Sequence, residues 1–112
     1  MRIAVDANGA DLGPAEVAAG AAIAAARGVT PVLFGPAEQI GEVAEGIEVV
    51  DAPVSIAKAP EPVSAVRQTP GASIVRAAKA VAEGDCEAFE MRAPEWARLN
   101  ALEEGVGRAL AP

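Results

Sequence analysis

Ile3-Ala4-Val5-Asp6-Ala7-Asn8-Gly9-Ala10-Asp11-Leu12-Gly13-Pro14 runs from a short apolar stretch through an acid and a small-residue loop to a proline placed to open a helix. Ile3 to Val5 predicts a buried first strand, stopped by Asp6 and the loop that follows. Gly13 stands as cap, Pro14 takes the first helical position, where its missing N–H costs nothing, and Glu16 in the first turn complements the helix dipole. An Ala-rich run then predicts a helix to Arg27, which Gly28 ends. Beyond it, Val32-Leu33-Phe34 lies between Pro31 and Gly35-Pro36 and predicts a second strand. Ala37 to Glu45 predicts a second helix ended by Gly46, and Ile47-Glu48-Val49-Val50 a third strand. Strands alternating with helices over short connections imply parallel strands and right-handed crossovers, so the fold class is α/β.

The segment from Ala52 to Pro62 holds three prolines and no clean period, which places a loop at the carboxyl edge of the sheet, where open α/β sheets bind ligands. Val63 to Gln68 predicts a short helix and Ala72 to Glu83 a longer one, with Ile74, Val75, Ala78 and Val81 on one face and Gly84 at its end. After Gly84, Asp85-Cys86-Glu87-Ala88-Phe89-Glu90 carries three acids and little β-branched content, and the strand pattern breaks. Pro94 then opens an amphipathic helix on Trp96, Leu99, Leu102, Val106 and Leu110, weakened by Gly105 and Gly107. Trp96 serves there as an apolar anchor.

Composition excludes several functions. Of the 112 residues 28 are Ala, and only 26 are Val, Ile, Leu or Phe, so a single small domain with a thin core is expected. A net charge of −7 repels phosphate backbones and anionic lipid, which sets nucleic-acid binding aside. With no His and a single Cys, neither a His/Cys metal cluster nor a His-based triad can be built, and no metal or cofactor is expected. The longest uncharged apolar stretch, Val17 to Ala26, is about half a bilayer span, and acids precede it where a signal peptide carries positive charge. The expected compartment is the cytoplasm.

The loop from Asp6 to Gly13 is the strongest local candidate for a site, because small residues between a strand and a helix expose backbone N–H groups beside a helix N-terminus. Two roles stand open for Asp6 and Asp11: closing the turn through loop amides, or facing a ligand. Arg67 and Lys58 near the same edge either neutralise phosphate or are solvated surface charges. Ser73, at a helix start, is expected to cap amides, with ligand binding as the other role. Cys86 has no basic neighbour in sequence, and Asp85 and Glu87 raise its pKa, so it is expected to be inert.

These residues resemble a known family. The opening run through Asp11, the Gly13-Pro14 helix start, Ile47-Glu48-Val49-Val50 before a Pro-rich loop, Ala65-Val66-Arg67, and the helix from Ala72-Ser73 to Val81-Ala82-Glu83-Gly84 are similar to the bacterial phosphate acyltransferases of fatty acid and phospholipid synthesis. The family's DAMGGD loop falls on Asp6 to Asp11, with Asn8 in place of Met and Ala10 in place of Gly. Its following His is Leu12 here, the Lys of its D-K-P-V-x-A-V-R stretch is Glu61, its Arg is Arg67, and its Ser-Ser pair is Ala72 and Ser73.

The resemblance implies a three-layer α/β sandwich, truncated relative to the family. Its units are residues 1–85 and a divergent tail, 86–112, that carries the amphipathic helix and lacks the family's next strand and S-A-G-N-T-G-A loop. It implies transfer of a fatty acyl group from acyl carrier protein to inorganic phosphate, a homodimer, and at most peripheral membrane association. Asp6, Asp11 and Arg67 become the expected catalytic residues, and Asn8, Gly9 and Ser73 the expected substrate or phosphate contacts. The alternative is a catalytically inactive half-domain that acts in dimerisation or partner binding, for which Arg67, Arg76 and Lys79 offer a basic patch.

Overall fold

The computed structural model describes residues 1–8 and 12–90. Gly9, Ala10, Asp11 and the segment around Trp96 lie outside the described residues. The elements are β1 (Arg2–Asp6), α1 (Pro14–Ala26), β2 (Thr30–Gly35), α2 (Ala37–Ile40), β3 (Glu48–Asp51), α3 (Pro62–Gln68), α4 (Ser73–Ala82) and β4 (Ala88–Glu90). All the strands pair in parallel, in the order β3-β2-β1-β4.

The alternation of side chains along the strands divides the core in two. Val5, Leu33 and Val49 share one face with Ala18 and Ala21 of α1 and Ile40 of α2. Ala4, Val32, Phe34, Val50 and Phe89 share the other with Ala77 and Ala80 of α4. Helices thus cover both faces of one sheet, the three-layer α/β sandwich expected. Alanine supplies much of this packing: Ala18 and Ala21 of α1 and Ala77 and Ala80 of α4 are buried in the two clusters against the sheet.

The first helix matches expectation closely. Gly13 caps it with φ 89°, Pro14 opens it, and Gly28 follows it with φ 92°, conformations that favour glycine. Three expectations are corrected. Helix α2 stops at Ile40 instead of Glu45, because Gly41 at φ 73° takes the cap, and Val43 and Ile47 then pack on the core from a loop. A fourth strand forms where the sequence pattern broke. Its Ala88, Phe89 and Glu90 stand beside Ile3, Ala4 and Val5, and the Glu87 N–H donates to the Arg2 carbonyl at 2.8 Å. The free edge of β1 supplies backbone partners and the α4 face receives Phe89, which together outweigh poor intrinsic strand preference. Finally, the buried stripe of α4 is Ile74, Ala77 and Ala80, with Val75 and Ala78 half-buried beside it.

Pro31 lies inside β2 without cost. The Thr30 N–H points to β1, donating to the Met1 carbonyl, so the position of the missing Pro31 N–H faces β3, whose pairing begins only at Val32.

Candidate functional site

Connections from β1 build the sheet in one direction through β2 and β3, and the chain then returns through α3 and α4 to place β4 on the other side of β1. The order therefore reverses at β1, and the crevice outside the carboxyl ends of strands at such a reversal is where open α/β sheets hold ligands. Asp6 ends β1 at this point, and Ser73 begins the returning helix.

A closed ring of hydrogen bonds joins the two. The Ser73 hydroxyl donates to Asp6 Oδ1 at 2.6 Å, and the Asn8 backbone N–H donates to the same oxygen at 3.1 Å. Asn8 Nδ2 donates to Ser73 Oγ at 2.9 Å and to the Ala52 carbonyl at 3.2 Å. Asp6 is 5% exposed, Asn8 8% and Ser73 1%. Asp6 closes its turn through a loop amide, as one of its two expected roles required. Ser73 does not cap: the cap position is Ala72, no side chain bonds the first turn of α4, and the hydroxyl is committed to Asp6. A carboxylate one strand away is a stronger acceptor than any geometry a first-turn serine offers its own helix.

The structure thus brings Asp6, Asn8 and Ser73 together, while Gly9 and Asp11 lie outside the described residues. Arg67 stands apart from the ring, exposed near the end of α3, a helix with no buried residue. Lys58 is also exposed, in the loop before α3. Sequence reasoning missed the role of Ala52: this residue, fully buried after β3, offers the carbonyl that anchors Asn8. The loop from β3 also holds α4, through the Ser73 N–H bond to the Val54 carbonyl at 2.9 Å. Two exposed apolar side chains, Leu12 and Val54, lie on the loops that leave β1 and β3 at this same edge.

The basic patch does not form as a free surface. Arg76 Nη1 donates to the Asp51 carbonyl at 2.9 Å, and Lys79 pairs with Glu83 at 3.7 Å. Both line a 670 Å³ cleft beside α4, together with Arg2, Glu48, Asp85 and Cys86, so its charge is mixed. At the end of that cleft Arg2 pairs with Glu48, which raises the guanidinium pKa further, and Arg2 Nε donates to the Asp85 carbonyl at 2.8 Å. Cys86 therefore does have a basic neighbour, brought there by the pairing of β1 with β4. Burial nonetheless pushes the thiol up, against the pull of Arg2 and with a smaller contribution from Asp85. Among the described residues no three His, Cys, Asp or Glu side chains stand together as metal ligands, and no helix is long and apolar enough to cross a membrane.

A parallel sheet with helices on both faces and a polar ring at its strand-order reversal places the domain in the open-sheet, three-layer α/β class. Within that class, the family described as fatty acid synthesis protein matches residues 1–90, and the chain belongs to it. Among proteins similar to it is the phosphate acyltransferase of Levilactobacillus brevis, 44% identical over 96 positions that cover 80% of this chain and 27% of that protein. The phosphate acyltransferase of Gloeobacter violaceus is 36% identical over 96% of this chain and 34% of its own length, and that of Leuconostoc citreum 36% identical over 96% and 32%. The chain spans about a third or less of the length of these curated relatives.

Proposed function

We propose that this chain supplies the β1-end part of a phosphate acyltransferase site, which transfers a fatty acyl group from acyl carrier protein to inorganic phosphate. The observation that carries the proposal is the buried Asp6–Ser73–Asn8 ring at the strand-order reversal of a chain whose relatives bear that name. In the reaction a phosphate oxygen attacks the thioester carbonyl carbon, the tetrahedral intermediate expels the thiolate, and the products are acyl phosphate and the free carrier thiol, which takes up a proton. No protein nucleophile is needed, so the protein's contribution is positioning and charge. Asp6, Asp11 and Arg67 are assigned the catalytic roles, Asp6 also holding the turn after β1 through the Asn8 N–H, and Asn8, Gly9 and Ser73 are assigned to the phosphate subsite. Leu12 and Val54 give the same edge an apolar surface for the acyl chain. The protein works in the cytoplasm as a homodimer with at most peripheral membrane contact.

The second reading is a non-catalytic half-domain that dimerises or binds a partner, favoured by one observation: among the described residues, β3 and β4 are open sheet edges. One assay separates the two. Purified 112-residue protein is incubated with palmitoyl-loaded carrier protein and excess phosphate, and free carrier thiol is scored against Arg67→Ala and Ser73→Ala. Phosphate-dependent release lost in both variants supports the enzyme. No release from folded protein overturns catalysis by this chain alone and favours the partner-binding half-domain.

A further inference from the structure

Asn8 has its nitrogen fully used. The Nδ2 hydrogens go to Ser73 Oγ and to the Ala52 carbonyl, and because a carbonyl only accepts, the contact with Ala52 fixes which end of the amide is nitrogen. No donor among the described residues bonds Asn8 Oδ1. Asn8 is 8% exposed, and a buried acceptor with no donor among the described residues marks a place for a donor that arrives with a ligand.

A second set of unused groups lies at the same point. Helix α4 is 10 residues long and carries no side-chain cap. The Ser73 N–H goes to Val54, and the first bond that returns into the turn runs from the Arg76 N–H to the Ala72 carbonyl. Between them, the Ile74 and Val75 N–H groups have no acceptor among the described residues. Meanwhile the Ser73 hydroxyl donates its hydrogen bond to Asp6, so it offers a ligand no donor. Asn8 is tied to Ser73, the first residue of α4, so the ring brings an acceptor, Asn8 Oδ1, to the same end of the helix as these donors.

Hydrogen phosphate matches both kinds of group, with oxygens that accept from amides and a P–OH that donates. Sulfate is similar in size and shape but carries no proton near neutrality, and only accepts. We propose that Asn8 Oδ1 accepts the P–OH hydrogen of phosphate and is the residue by which this site separates phosphate from sulfate. The assignment rests on the reading of inorganic phosphate as substrate.

The test is calorimetric titration of the 112-residue chain with phosphate, sulfate and fluorophosphate. Fluorophosphate has fluorine in place of the hydroxyl of hydrogen phosphate at the same charge, so it removes the donor without altering the protein. Phosphate is expected to bind at least about tenfold more tightly than either of the others, the effect of leaving one buried acceptor unpaired. Asn8→Leu, shown to be folded by circular dichroism, is expected to bring the three anions within about twofold of one another. Fluorophosphate bound as tightly as phosphate, or a preference kept by folded Asn8→Leu, overturns the role of Asn8 and leaves the proposed reaction standing. Folded wild-type chain that binds no phosphate overturns this assignment whatever the acyl-transfer assay gives. Phosphate preference without acyl transfer upholds the assignment and counts against catalysis by the chain alone.

Discussion

Replacing Ser73 with Ala removes one oxygen from the interior and tests whether the ring holds the fold together. The side chain is 1% exposed, so water cannot take its place without opening the start of α4. Two bonds are lost: the 2.6 Å bond to the Asp6 carboxylate and the 2.9 Å bond from Asn8 Nδ2. Asp6 Oδ1 keeps the Asn8 N–H, and Asn8 Nδ2 keeps the Ala52 carbonyl, so neither neighbour is stripped of every partner. The volume change is small, and the cost is electrostatic. A hydrogen bond to a charged acceptor contributes about 1.5–3 kcal/mol, so Ser73→Ala is expected to destabilise the domain by about 2 kcal/mol. For a chain of this size that lowers the melting temperature by about 8 °C. Urea denaturation followed by far-ultraviolet circular dichroism reads the change as a shift in midpoint at unchanged slope. A loss below about 0.5 kcal/mol, the range of an unremarkable surface change, refutes the claim that the ring is a buried, charge-assisted tie between β1 and α4.

Three further perturbations test other parts of the structure. Gly35→Ala places a methyl group 2.9 Å from Ala7 Cβ, between β1 and β2 just before Asn8, and is expected to cost about 1–3 kcal/mol, read by thermal unfolding. Gly20→Ala, in the middle of α1 with nothing within 4 Å of the new methyl group, is expected to stabilise by about 0.5–1 kcal/mol, and a loss in the same measurement counts against a regular helix there. Burial raises the Cys86 thiol pKa in the folded state, so folding favours the protonated thiol. That contribution is fully present below the unfolded thiol's pKa and is lost as pH rises through the folded one. Unfolding free energy should therefore fall on the alkaline side, and Cys86→Ala should flatten that fall; an unchanged alkaline slope in the variant argues against it.

Local patterns made the first half of the fold legible. Pro14 with Gly13 before it and Gly28 after the helix are backbone constraints that operate whatever surrounds them, and α1 follows them. Helix α2 was overextended because Ile40, Val43 and Ala44 keep helical spacing, whereas Gly41 between them takes a positive φ that spacing does not register. Strand β4 was hidden for the opposite reason: almost nothing in Ala88-Phe89-Glu90 favours a strand except that β1 has an edge to fill. Asp6, Asn8 and Ser73 were legible as candidates, but their bonding was not. The Ser73–Asp6 bond spans 67 residues of sequence, and the proximity of Arg2 to Cys86 likewise depends on pairing between the first and last described strands.

The position of the ring follows from the order in which the sheet is built. After β3 the chain must cross back over β2 to reach the free side of β1, and α4 makes that crossing on the face opposite α1 and α2. The helix begins at the carboxyl edge, so its first residue meets the end of β1, while the loop from β3 has to pass both. A polar knot there performs two tasks at once. The Val54 carbonyl and Asp6 hold the start of α4, and Ala52 holds Asn8, so the loops after β1 and β3 are tied to a single helix. The same convergence leaves the amides of Ile74 and Val75 and the oxygen of Asn8 without partners among the described residues. The two amides are the ordinary free donors of a helix start, whereas Asn8 is 8% exposed and its unused oxygen opposes folding unless a ligand meets it. Their concentration at the strand-order reversal, where α/β sheets admit ligands, is what joins the architecture of this domain to the chemistry proposed for it.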